Sequence, residues 1–348
     1  MDLNRVETRA VHFGLASPRS AICPGEPVGL HVLLDVVDPG DDGPPRRLVP
    51  HRVDLDDAIF DLRQLHVSSP NGTFDADGVF HPSADVLATA QSGFVIFARP
   101  PSGPAFSVRY PPSYECRRAI GGAGRAGIAG NAGDHALYGD LPEPNSKEPL
   151  PSRAAPGRTG GAGGAGGDGP RMTVYVTWVR TPDYTKLLAA RATGDVDTLT
   201  LSAPGTPLDV VARGGDGGAG GRGGDGAPGV DDFEPGGPGG TGGRGGQGGR
   251  GGDVEVVLDE RFDELDRHVV IDVRGGEGGE GGAGGSGGRS YVGQSANRRG
   301  VGFAERDGVL VAPGPYGAKG TAGEDGNARI TRSDVSARFK GLGPVVPL

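Results

Sequence analysis

The sequence predicts a mainly β protein: an N-terminal β-sandwich followed by a β-platform that carries a six-helix polyglycine II bundle. Three observations lead there. The chain of 348 residues holds 69 Gly and 30 Pro. The glycine is concentrated, with 9 in residues 1–120 and 58 in residues 121–328. In that second stretch it recurs every third residue, and a period separates a fibrous geometry from plain disorder. The composition step near residue 120 sets a boundary. Residues 1–120 are read as the sandwich, 121–333 as bundle and platform, and 334–348 as a C-terminal tail.

Within the first 120 residues, strands are predicted at 28–37, 62–67, 93–98 and 105–110. Each is rich in β-branched or aromatic residues and is flanked by Pro, Gly, Asn or Asp. Ser69-Pro70-Asn71-Gly72-Thr73 is a strong turn, because Asn-Gly accepts positive φ. No segment shows a long 3.6-residue apolar period, so an antiparallel sandwich is expected. The stretch Gly72-Thr73-Phe74-Asp75-Ala76-Asp77-Gly78-Val79-Phe80 and the strand after it resemble the second half of bacterial immunoglobulin-like domains. That resemblance implies a spacer or adhesion module.

The glycine region divides into six tracts, at 121–133, 160–169, 214–226, 236–252, 275–288 and 314–328. A three-residue period matches an extended helix with no internal hydrogen bonds, whose backbone groups must find partners on neighbouring chains. Tracts two to five repeat Gly-Gly-X, which leaves two faces bare. Tracts one and six have Gly only at every third place, as in Gly-Arg-Ala and Gly-Ala-Lys. One bare face permits fewer close neighbours, so the first and last tracts are expected at the edges.

Strands are predicted between the tracts, at 172–179, 198–203, 208–213, 253–258, 268–274 and 329–331. A short helix is predicted over 182–192. The chain thus makes three out-and-back excursions from a strand platform. The Gly-Gly-X tracts resemble those of polyglycine II bundle proteins, namely the snow-flea antifreeze protein and the tip adhesins of certain T-even-like phages. The adhesin resemblance implies a rigid mount for loops that bind a receptor. The antifreeze resemblance implies a flat ice-binding face.

Three segments join the tracts at the far end, around 134–158, 227–235 and 289–313. They carry the candidate partner-binding residues Tyr138, Phe233, Tyr291, Arg298, Arg299, Phe303 and Arg306, of the types favoured at interface hot spots. The alternative is that Tyr138, Phe233 and Phe303 pack together as a cap. Ice binding needs one flat face of small residues, for which Ala162, Ala165, Ala219, Thr241, Ala283 and Ser286 are candidates. The charged third positions, Asp168, Asp216, Arg222, Arg244, Glu277 and Glu280 among them, argue against it.

Other classes find little support. The net charge of −9 gives no basic footprint for nucleic acid. No apolar run reaches the roughly 18 residues of a membrane span, so no membrane insertion is expected. The start lacks the apolar core of a secretory signal, and the compartment is left open. Ser286 in Gly-Gly-Ser-Gly-Gly lacks the strand–turn–helix setting of a nucleophile elbow, and Gly320 follows Lys319 where a phosphate loop needs Ser or Thr. The seven His show no metal spacing. No enzyme activity, cofactor or metal is expected. Cys23 and Cys116 are either a disulfide or two buried thiols, and the missing signal favours thiols. The expected function is a rigid structural module that presents loops to a protein or glycan partner. The runner-up is a self-assembling fibre or shell subunit that binds copies of itself, and ice binding is third.

Overall fold

The computed structural model describes residues 2–16, 20–39, 43–50, 59–75, 77–116, 118–136, 154–229, 236–289 and 311–348. The N-terminal part contains β1 (Glu7–Leu15), β2 (Val28–Val37), β3 (Arg46–Pro50), β4 (Ile59–Phe60), β5 (His66–Ser68), β6 (Gly72–Phe74), β7 (Val79–Pro82), helix α1 (Val86–Ser92), β8 (Phe94–Arg99) and β9 (Phe106–Tyr110). One sheet runs β4-β3-β2-β7-β6, with β1 also paired to β2, and a second runs β5-β8-β9. Alternating residues of the two sheets meet in a core around Val32, Leu34, Val36, Leu48, Phe60 and Ala98. This is the expected sandwich arrangement of sheets.

Two details differ from expectation. Residues 62–64 form a 3-10 turn under an Asp61 cap, so the strand predicted from 62 begins only at His66. Helix α1 was not foreseen, because seven residues are too few to show a 3.6 period. Its signal is local: Asp85 Oδ1 accepts the N–H groups of Leu87 and Ala88 at the N-terminus, and Gly93 ends it at φ 64°. Cys23 and Cys116 form a disulfide with Cα atoms 6.2 Å apart, so the expectation of free thiols is corrected. The disulfide brings the two ends of the sandwich segment together in space.

The platform consists of two sheets. The first is β10 (Arg118–Ala123), β14 (Leu208–Arg213) and β16 (Val269–Asp272), all parallel. The second runs β13-β12-β11-β15-β17, where β11 is Met172–Arg180, β12 Leu187–Gly194, β13 Thr198–Ser202, β15 Val254–Asp259 and β17 Ala328–Ser333. A short β18 (Val346–Pro347) also pairs with β11. Strand β11 shows why the layers form. Met172, Val174, Val176 and Trp178 face the first sheet, with Ile120, Leu208, Val210, Val256 and Leu258. On its other face Val179 meets Leu187, Val335, Phe339 and Val345 of the chain's end. The helix expected over 182–192 is instead strand β12, antiparallel to β11 with Ala190 opposite Val176. It is covered on both faces, so Leu187 to Ala190 are all buried. Such a continuous apolar run reads like a helix in sequence.

The expected six-helix polyglycine II bundle requires correction. The regular structure of the described residues is strand, with α1 and a few short 3-10 turns, and no glycine tract is a helix in its own right. The tracts are extended segments whose N–H groups bond sideways to carbonyls of other tracts. Order therefore belongs to the stack and not to any one segment. The stack has two layers. Tracts 1, 3 and 5 prolong the first platform sheet, and tracts 2, 4 and 6 prolong the second.

Candidate functional site

The stack obeys two bonding rules, stated here with each triplet written as first glycine, second glycine and third position. A first-glycine N–H donates to a third-position carbonyl of the next tract in its own layer. Thus Gly214, Gly217, Gly220, Gly223, Gly226 and Gly229 of tract 3 donate to Arg274, Glu277, Glu280, Ala283, Ser286 and Arg289 of tract 5 at 2.8–2.9 Å. The same rule joins tract 1 to 3, 2 to 4 and 4 to 6. A second-glycine N–H donates across the layers to a second-position carbonyl of the preceding tract. Gly215, Gly218 and Gly221 of tract 3 donate to Gly167, Gly164 and Gly161 of tract 2, each at 2.8 Å. This second rule joins every tract from 2 to 6 with the one before it.

The bare positions follow from these contacts. A Cβ on first glycine Gly214 would meet the Gly249 carbonyl oxygen of the following tract at 2.0 Å. A Cβ on second glycine Gly215 would meet the Arg125 oxygen, two tracts back, at 2.1 Å. Tract 1 has no tract two places before it, and its second positions carry Arg125, Ile128 and Asn131. Tract 6 has no tract after it, and its first positions carry Tyr316, Lys319, Ala322 and Asp325. The two edge tracts each bond two neighbours, whereas tracts 3 and 4 each bond four.

The third positions face outward, and their charges act on backbone groups. Asp216 Oδ1 accepts the Glu277 N–H at 2.8 Å, and Asp225 Oδ1 accepts the Ser286 N–H at 2.7 Å. In the other layer, Asp168 caps the Arg250 N–H and Asp253 caps that of Asn327. The Ser286 N–H, with Arg222 and His135 nearby, lowers the pKa of Asp225, and the Asn327 N–H and side chain lower that of Asp253. Each aspartate thus satisfies the one backbone donor per triplet that neither rule uses. Sequence reading saw these residues as exposed charges and missed this role. The Asp at a third position of one tract beside a third position of the next was its only trace.

The small third positions do not assemble into one face. Ala162, Ala165 and Thr241 lie in the layer of tracts 2, 4 and 6, whereas Ala219, Ala283 and Ser286 lie in the opposite layer. The candidate residues Tyr138, Phe233, Tyr291, Arg298, Arg299, Phe303 and Arg306 lie outside the described residues. What the structure defines is their origin. The far ends of all six tracts are bonded together: Ala136 N–H to Asp225 O, Ala227 to Ala155, Gly237 to Ala227, Gly288 to Gly237 and Val311 to Gly288. The described residues that flank 137–153, 230–235 and 290–310 therefore all lie at one end, opposite the platform.

The one cluster with metal-ligand atom types among the described residues is Cys23, Glu26 and Cys116, and both of its sulfurs are joined in the disulfide. No helix among the described residues is long and apolar enough to cross a membrane. Comparison with protein-family models, curated proteins and solved structures finds no match to this chain.

Proposed function

We propose that the chain is a non-enzymatic recognition module: a rigid glycine stack that presents segments 137–153, 230–235 and 290–310 to a protein or glycan partner, in the manner of an adhesin. The observation that supports this reading is the convergence of the six tract ends, which are tied by backbone hydrogen bonds. Three segments anchored at both ends on one rigid surface lose less freedom on binding than three free loops would, and that lowers the cost of recognition. The composition of those segments agrees, with Tyr291, Arg298, Arg299, Phe303 and Arg306 within the last.

The test replaces residues 291–306 by a short Gly-Ser turn and screens intact and altered protein against immobilised glycans and cell-surface protein fractions. The expected result is unchanged thermal unfolding and loss of the partner that the intact chain captures. Equal capture by both proteins would remove these segments from the site.

A further inference from the structure

The two edges of the stack are not equivalent. At the tract 6 edge, side chains stand where a seventh tract would lie. In every earlier tract a first-position Cβ points at the following tract, as Gly275 does at the Gly323 oxygen, 2.1 Å away. Tyr316 and Lys319 occupy that position in tract 6. Lys319 Nζ reaches back to Glu280 Oε1 at 2.5 Å, and Asp325 Oδ1 accepts the Gly275 N–H at 2.9 Å. This edge is covered by its own side chains.

The other edge is open beside tract 2. Continuing the bonding rules by one tract defines a channel along the flank of tracts 1 and 2 that none of the described residues fills. The N–H groups of Arg125, Ile128 and Asn131 in tract 1 hold no bond in the described structure, and the cross-layer rule directs them there. The third-position carbonyls of Thr159, Ala162 and Ala165 in tract 2 likewise accept nothing, and the same-layer rule directs them there too. Donors and acceptors both repeat every three residues.

A second, independent observation concerns the glycines. The second positions of tract 2 have no tract two places before them. By the logic that lets tract 1 carry Arg125 and Ile128, they are released from the strict demand for glycine. A Cβ at Gly161, Gly164 or Gly167 would meet its nearest atom at 3.0, 3.1 or 3.2 Å, against 1.9–2.0 Å at Gly243, Gly246 and Gly249 of tract 4. Yet all three are glycine, the residue that loses the most conformational freedom when a segment is ordered. Bare backbone facing an open row of donors and acceptors is what the interior tracts present to one another.

We propose that this channel binds an extended polypeptide segment with glycine at every third residue, lying parallel to tract 2. The bonding rules specify the occupant. Its first-position N–H groups would donate to Thr159, Ala162 and Ala165, and its second-position carbonyls would accept from Arg125, Ile128 and Asn131. Its first position must be glycine, because a Cβ there would run into tract 1. Its other two positions are free, and proline fits both, since their N–H groups are unused. The channel stops at the platform, where β12 continues the same layer beside β11 and turns at Gly194, with the Asp195 N–H on the Arg171 oxygen. From Thr159 to Asp168 it runs about 30 Å, at about 3.1 Å per residue. A second copy of the chain is not this occupant: among the described residues, the even tract whose first-position N–H groups and second-position carbonyls are both unused is tract 6, whose Tyr316 and Lys319 would strike tract 1.

The test is calorimetric titration of the intact protein with a synthetic peptide of Gly-Ser-Ala repeats, about 15 residues long. The same peptide with every glycine N-methylated serves as control, because it lacks the donors. Saturable binding at one site is expected, weaker by at least about tenfold for the N-methylated peptide. Gly164→Ala should weaken binding by a similar factor while circular dichroism and thermal unfolding stay close to the parent. Ile128→Pro, which removes an N–H that no group among the described residues accepts, should weaken it severalfold and decides the matter if Gly164→Ala does not fold. No binding of the Gly-Ser-Ala peptide at millimolar concentration overturns the proposal. So does equal binding of the N-methylated peptide, or unchanged affinity in a folded variant. Self-association of the parent protein that Ile128→Pro abolishes would replace the peptide with a second copy and overturn it as well.

Discussion

Gly245 shows how much one hydrogen atom decides in this chain. Its absent Cβ leaves room for the Gly279 carbonyl oxygen, which would otherwise stand 1.9 Å away. That oxygen belongs to the backbone, so no side-chain rotation relieves the clash, and two tracts must separate with their hydrogen bonds. Gly245→Val is expected to cost more than about 3 kcal/mol and to disrupt the stack. Gly205 lies in a turn of the platform with open space around it. Gly205→Ala should be neutral or stabilise by about 0.5 kcal/mol. Chemical denaturation of the two variants beside the parent is the check, and a folded Gly245→Val protein of parental stability would contradict the packing described. Asp259 is the polar counterpart. Its side chain is fully buried, accepts Thr177 Oγ1 at 2.6 Å and takes two bonds from the Arg261 guanidinium. Burial alone pushes its pKa up, but the bonds from Arg261 and Thr177 outweigh it and hold the carboxyl below its ordinary value. A depressed folded pKa means that its stabilisation is present above the ordinary carboxylate pKa of about 3.9 and is lost as pH falls through the folded value. Asp259→Asn should therefore cost about 2–3 kcal/mol near neutrality and flatten the loss of stability below about pH 4. Parallel acid limbs for parent and variant would show that this carboxylate does not govern them.

Among the elements, the tracts differ in how many neighbours hold them. Tracts 3 and 4 bond four others, tracts 2 and 5 three, tracts 1 and 6 two. An amide in a central tract exchanges only when several tracts part together, whereas an edge tract can lift away alone. Hydrogen exchange should then rank Gly218 and Gly246 as slowest, Gly164 and Gly279 as intermediate and Gly127 and Gly320 as fastest. Equal protection across the six would mean that the stack opens only as a unit. This ordering was partly legible beforehand, because dropping one glycine per triplet in the first and last tracts marks them as edges. Which glycine is dropped, the second in tract 1 and the first in tract 6, acquires meaning only once the direction of each contact is known. Strands β2 and β14 were readable to the residue, since each alternates between a buried and a wetter face under clear turn signals. Strand β12 was not, because burial on both faces erases the period of two. Helix α1 was hidden for a different reason, since a two-turn helix has no period to show, and the disulfide stood as one of two readings because the pairing of Cys23 with Cys116 rests on ends of the sandwich segment that meet only in the fold.

For the whole molecule, the same bonding rules that close the stack would also let it grow. A layered stack built by translation presents at one edge what the other edge accepts, and a contact of that kind between copies is heterologous and does not close. As far as the point where β12 ends it, the open channel beside tract 2 matches the backbone of tract 6 of another molecule, but Tyr316, Lys319 and Ala322 carry side chains where a following tract requires bare backbone. Such side chains on an exposed edge guard against edge-to-edge assembly. The combined substitution of Tyr316, Lys319 and Ala322 by glycine removes that guard; it gives up the exposed Lys319–Glu280 ion pair, but the backbone bonds of tracts 4 and 5 to tract 6 run through its second and third positions and stay. The variant should remain folded and assemble end to end, with particle length rising with concentration in electron micrographs, while the parent stays as single particles. Adding Gly164→Ala to it places a Cβ in the new contact and should restore single particles. Filaments that persist with Gly164→Ala would mean that the copies meet by some other surface, and filaments from the parent chain would mean that Tyr316 and Lys319 do not close the edge.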